Sequence, residues 1–237
     1  MGHRMFRVAI AILTTFAAVD GARSESVQVY AAASMTDAVA ALEEAYEDLY
    51  PGHDVTAVFA GSGVLARQIA QGAPADLYLS ANVVWAEWLA ERVPPRRVET
   101  VARNTLVWIG AAPEADGLPA GRIALADPEA VPAGRYARQA LEARGLWHAA
   151  QQRMVIAANV RDALNWVVRG HAPSAVVYAT DAALLPELTA TPIDPALHDP
   201  ITYRAAALND AGAPFLDFLL SEEGQIILAG FGFRPPQ

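Results

Sequence analysis

The chain has 237 residues, is 54% hydrophobic and 18% charged, and carries a formal net charge of −9. That balance fits a folded globular protein with a full core and excludes disorder and a basic, nucleic-acid-wrapping face. All 17 basic residues are arginine and there is no cysteine, so Schiff-base lysines, the P-loop and kinase lysines, disulfides, thiolate metal sites and cysteine nucleophiles are all excluded.

In chain order, residues 1–24 read as a secretory signal peptide: Arg4 and Arg7 precede an apolar run from Val8 to Val19, and small residues follow. The run is short for a bilayer span, and no other segment is long and apolar enough. The expectation is an exported, soluble periplasmic protein, with no cysteine to take a lipid anchor. Val27–Ala32 is strand-like and leads into a helix with apolar residues at Met35, Val39, Leu42, Tyr46 and Leu49. Ser34 followed by Asp37 reads as a capping box at its start. Val55–Ala60 is the next strand and Gly63–Gln71 the next helix, stopped by Gly72. Asp76–Ser80 is a third strand, followed by a helix over 83–91.

Pro94 and Pro95 break the pattern. Residues 98–109 then contain a strand, TLVWIG, and a second alternating series begins at Arg122–Ala126. It continues with a helix over 133–144, a strand at Met154–Ala157, a helix over 160–169 and a strand at Ala175–Ala179. Ile201–Leu208 is a further strand, and two helices, 214–220 and 222–229, end the chain. The alternation predicts an α/β protein with mostly parallel sheets flanked by helices, in two lobes. In such sheets ligands bind beyond the carboxyl ends of the strands.

Four strand-to-helix junctions carry suggestive chemistry there: AAASMTDA with Ser34, FAGSGVLA with Ser62, DPEAVPAGRYA near Ala133 and AANVRDAL near Val160. Helix starts leave main-chain N–H groups unpaired and carry positive partial charge, so several converging starts make an anion site without any cation. The net negative charge does not oppose this, because screening limits its reach to about 8–10 Å. Ser62 fits a nucleophile elbow poorly, since Ala60 and Val64 stand where glycines belong. It fits neither a P-loop, for lack of lysine, nor a dinucleotide loop, for lack of the third glycine. An anion donor and a plain N-cap remain open for it. The five histidines are scattered without metal-ligand spacing. Asp127 and Glu129 read as turn residues, Trp85 and Trp88 as packing residues, Arg135 and Arg161 as solvated or structurally paired, and Asp181 as an N-cap.

Together, AAASMTDA, FAGSGVLARQIAQGAPADLYLSA, ADPEAVPAGRYA, NVRDALNWVVRGHAPSAVVYATDA and the terminal FGF resemble the periplasmic molybdate-binding proteins of ABC transporters, over 27–233. The resemblance implies a type II periplasmic-binding-protein fold, two α/β lobes closing over one tetrahedral oxyanion. It implies a first lobe of 25–105 plus 204–237 and a second of 106–203. By motif, the ligand contacts are Ser34 and Ser62 through hydroxyl and main chain, Ala133 and Val160 through main-chain N–H, and Tyr178 through its phenol. Gly61 and Gly63 stand where serines are common in the family, which lowers the number of side-chain donors. The implied protein is a monomeric, cofactor-free receptor and no enzyme. It takes molybdate, and tungstate with it, to a membrane permease and ATPase. Donors alone suit a fully deprotonated anion and penalise hydrogen phosphate, whose proton needs an acceptor. A receptor for another tetrahedral anion such as sulfate, and more remotely a serine hydrolase using Ser62, are the alternatives.

Overall fold

The computed structural model describes residues 25–115 and 117–236; the leader read at 1–24 lies outside the described residues. The chain runs β1 (Glu25–Ala32), α1 (Thr36–Leu49), β2 (His53–Ala60), α2 (Ser62–Ala70), β3 (Leu77–Ser80), α3 (Val83–Ala90) and β4 (Arg97–Arg103). It then continues through β5 (Leu106–Gly110), β6 (Ile123–Ala126), α4 (Pro132–Ala143), α5 (Trp147–Gln151), β7 (Met154–Ala157), α6 (Val160–Val168), β8 (Ser174–Tyr178), α7 (Ala179–Ala182) and β9 (Ala190–Pro192). It ends with β10 (Thr202–Ala207), α8 (Ala213–Leu220) and α9 (Glu222–Gly230).

The strands form two five-stranded sheets, in the orders β2-β1-β3-β10-β4 and β7-β6-β8-β5-β9. In each, the three strands that alternate with helices pair in parallel, β1 with β2 and β3 in one, β6 with β7 and β8 in the other. The remaining pairings are antiparallel, because β10 and β5 run against their neighbours. Helices flanking the sheets make the molecule two α/β lobes.

The central strands β3, β6 and β8 are buried along their whole length. That is why they read as continuous apolar runs rather than alternating ones, since helices cover both faces. Burying a side chain such as Leu77 or Leu79 contributes about 1.5–3 kcal/mol. On α4, buried Ala133, Tyr136, Ala137, Ala140 and Leu141 form the apolar stripe that seats it on its sheet.

The expected strand TLVWIG lies in β5, while β4, which no sequence pattern marked, precedes it in the other sheet, so the chain changes sheet at Asn104–Thr105. It returns just before β10, and the Asn104 N–H donates to the Ile201 carbonyl at 3.2 Å, so the two crossing segments lie side by side. Helices α5 and α7 and strand β9 escape the sequence patterns because each is too short for a periodic signal. This topology turns the carboxyl ends of β1, β2 and β3 toward those of β6, β7 and β8.

Candidate functional site

Where those strand ends meet there is a small cavity, about 10 Å³, the space of a single water-sized body. Ser34, Ser62, Ala133, Val160 and Tyr178 all line it, together with Asn159 and main-chain segments on both sides. Four of these residues sit at helix starts. Ser62 and Val160 are the first residues of α2 and α6, and Ala133 is the second of α4. Ser34 lies in a 3-10 turn, 33–35, that runs into α1. First-turn N–H groups have no intrahelical acceptor, so each start presents donors and positive partial charge to the cavity. No Asp, Glu, His, Arg or Lys side chain lines it.

The side chains are buried and held. Ser62 is fully buried; its hydroxyl oxygen accepts the Ala81 N–H at 3.1 Å, and its carbonyl accepts the Tyr78 hydroxyl at 2.8 Å. Accepting from Ala81 leaves the Ser62 hydroxyl its own proton to donate. Ser34 Oγ lies 2.8 Å from the buried Tyr203 hydroxyl. Tyr178 ends β8, its main-chain N–H donates to Asp181 at 3.2 Å, and its buried phenol has no hydrogen-bond partner among the described residues. Burial raises the Tyr178 hydroxyl well above the usual phenol range, so it stays a protonated donor.

Beside the cavity, Arg161 binds Asp181 at 2.6 Å within its own lobe and Asp37 at 2.7 Å across the cleft. Asp181 is fully buried; desolvation, only partly offset by Arg161, pushes its carboxyl up to about 6. The Gly63 N–H donates to the Ala130 carbonyl at 3.1 Å, a second link between lobes. A Cβ on Gly63 would stand 2.4 Å from both that carbonyl and the Trp85 ring, and one on Gly61 2.8 Å from Val131. At Gly63 the Ala130 main chain and the Trp85 ring, and at Gly61 the Val131 side chain, stand too close for a Cβ without a shift of these neighbours.

Several expectations need correction. The Ser34–Asp37 capping box does not form: the 3-10 turn makes Met35 the N-cap of α1, freeing Ser34 for Tyr203 and Asp37 for Arg161. Asp181 is not an N-cap but the third residue of α7, reaching back to the Tyr178 N–H. Asp127 closes a turn onto the Glu129 N–H, Arg135 is exposed, and Trp85 packs edge-on to Trp88, as expected for residues outside the chemistry. Asn104 and Tyr203 gave no signal, because the Tyr203–Ser34 contact spans 169 residues. Among the described residues no group of three or more His, Asp or Glu could hold a metal ion.

Four larger cavities share no lining residue with this one; those of about 420 and 350 Å³ lie beside Arg122 and Arg169 and beside Val27 and Pro214. Of the two largest, the first, of about 500 Å³, lies beside Trp108 and Leu141 and the second, of about 810 Å³, beside Tyr50 and Ile226. The second carries Asp217, Glu222 and Glu223, the wrong sign for an anion.

Two α/β lobes with a small donor-lined cavity at facing strand ends define a ligand-binding protein of the periplasmic-binding type. The model of the bacterial extracellular solute-binding proteins matches residues 27–234, and the chain belongs to that family, whose members bind solutes and are not enzymes. It is 33% identical to the molybdate-binding protein ModA of Haemophilus influenzae over 97% of this chain and 98% of that one. Among solved structures it is similar to the periplasmic molybdate-binding protein of Azotobacter vinelandii, with a TM-score of 0.76, 25% identity, and 89% and 100% of the two chains covered. The sulfate-binding protein SubI of Mycobacterium tuberculosis shares the fold, with a TM-score of 0.73 over 89% and 86% of the chains, at 15% identity.

Proposed function

We propose that this protein is a periplasmic receptor that captures molybdate, and tungstate with it, and delivers the anion to the permease and ATPase subunits of an ABC importer. The observation that carries the reading is the cavity at the facing strand ends, where two serines, a buried tyrosine whose hydroxyl has no partner among the described residues, and the starts of α2, α4 and α6 meet with no charged side chain. Its size leaves no room for a sugar, peptide or nucleotide. Ser34, Ser62 and Tyr178 would donate hydroxyl hydrogen bonds, and Ala133 and Val160 main-chain N–H bonds. A fully deprotonated oxyanion offers acceptors only, which matches such a set. The relatives named as molybdate-binding proteins favour that anion.

The lobes, 25–105 with 204–237 and 106–203, would open to admit the anion and close over it as a monomer, with the closed form the one the permease reads. Export by the 1–24 leader supplies the compartment. The same donor set suits sulfate, so the second reading is a sulfate receptor, separated from the first only by the fit of the cage to a larger anion. A hydrolase using Ser62 lacks support, since the cavity lining holds no histidine or carboxylate to act as its base.

Calorimetric titration of the mature protein with molybdate, tungstate, sulfate and phosphate tests the reading. One-to-one binding of the first two with weak or no binding of the others is expected. Best binding by sulfate would transfer the assignment to that anion, and silence toward all four would remove it.

A further inference from the structure

Ser62 owes its role as a donor to the main chain, because the Ala81 N–H occupies its oxygen. Ser34 is held differently: its hydroxyl meets another hydroxyl, and either oxygen of that pair can donate. The direction is decided further back. The Thr105 N–H, which can only donate, reaches Asn104 Oδ1 at 2.8 Å and so identifies that atom as the carbonyl oxygen. The opposite side of the Asn104 amide is then the NH₂ group, whose two protons go to Thr180 Oγ1 at 2.9 Å and to the Tyr203 hydroxyl at 3.3 Å. With its oxygen receiving from Asn104, Tyr203 spends its own proton on Ser34. The Ser34 proton is left to point into the cavity. Tyr203 is fully buried, with its ring packed edge-on against Phe233 at 5.2 Å.

We propose that Tyr203, oriented by Asn104, is a positioning residue that directs the Ser34 proton into the cavity and thereby favours oxyanions that carry no proton. The inference rests on the oxyanion reading of the cavity and extends it. A dianion such as sulfate is accepted by every group around it, whereas hydrogen phosphate, alike in size and charge, brings a proton that meets only donors. The relay begins at Thr105, where the chain passes between lobes, so anion selection is built into the crossing segment rather than into the cavity wall.

The test is competition of sulfate and phosphate against molybdate at mildly alkaline pH, where phosphate keeps one proton and sulfate none, in the wild type, Tyr203→Phe and Asn104→Asp. Tyr203→Phe frees the Ser34 lone pair to accept a proton. Asn104→Asp reverses the relay, since its carboxylate takes the Tyr203 proton and Tyr203 then takes that of Ser34. The added charge acts equally on the two dianions and cancels in their ratio. In both variants phosphate is expected to gain at least about tenfold on sulfate. A merely structural role would weaken both anions alike, and an unchanged ratio in the variants that still bind molybdate overturns the proposal. Should one variant lose all binding, the anion ratio in the other decides; loss in both, with melting unchanged, overturns the proposal as well. A wild type that binds no molybdate removes the oxyanion reading itself, a different failure seen before any variant is made.

Discussion

The main-chain N–H of Gly63 donates to the carbonyl of Ala130 at 3.1 Å, tying the start of α2 to the turn before α4 across the cleft. A methyl group at residue 63 would stand 2.4 Å from that carbonyl and from the Trp85 ring. Gly63→Ala is therefore expected to cost about 1–3 kcal/mol by forcing the lobes apart or the indole aside. The corresponding loss in molybdate affinity, about tenfold or more, is read by titration. Gly230→Ala, where a Cβ meets nothing within 4 Å, is the control and is expected to leave affinity unchanged.

Tyr178 separates binding from stability. Its phenol is buried without a partner, which costs the empty protein about 1–3 kcal/mol. Tyr178→Phe is expected to leave the melting temperature of the anion-free protein unchanged or raised. Affinity should fall by the loss of one charge-assisted hydrogen bond, about 1.5–3 kcal/mol. A fall in both quantities together would count against the phenol as a ligand donor.

Arg161 has two carboxylate partners of unequal weight. Asp37 is 43% exposed, so Asp37→Asn is expected to change stability by no more than about 1 kcal/mol in chemical denaturation. Arg161→Ala leaves Asp181 buried without a counter-charge and is expected to cost about 3–5 kcal/mol near neutral pH. Part of that loss should be recovered near pH 5, where Asp181 takes up a proton.

Asp181 also sets a slope in pH. Desolvation pushes its carboxyl in the folded protein up to about 6, above its value in the unfolded chain. The folded state therefore binds this proton more tightly, and the group's contribution to stability is full below about pH 4 and is lost as pH rises through about 6. Urea midpoints measured across that window should decline more steeply for the wild type than for Asp181→Asn. Parallel curves would show that Arg161 compensates the buried charge fully.

The order of strands and helices was largely legible because it rests on local signals. Apolar spacing marked α4 through Ala133, Tyr136, Ala137 and Leu141, and buried runs marked β3, β6 and β8. The same locality caused the errors. Ser34 and Asp37 have capping-box spacing, yet each is claimed by a distant partner, Tyr203 and Arg161. Pro94-Pro95 breaks the alternation, yet the chain changes sheet only after β4, because sheet membership is set by strand pairing and not by a break in a pattern.

From sequence alone followed the α/β class and the strand ends as the place for a ligand, through periodicity and turn chemistry settled by residues close in the chain. The set Ser34, Ser62, Ala133, Val160 and Tyr178 came from the resemblance of the junction motifs to the molybdate-binding family. Only the tertiary structure decided that all five line one cavity, that a Cβ at residue 63 would crowd Ala130 and Trp85, and that Tyr203 and Asn104 stand behind Ser34. The Ser34–Tyr203 and Ser34–Arg161 contacts join residues 169 and 127 positions apart. Separations of that size are closed by the order in which strands enter the sheets, which no local pattern encodes.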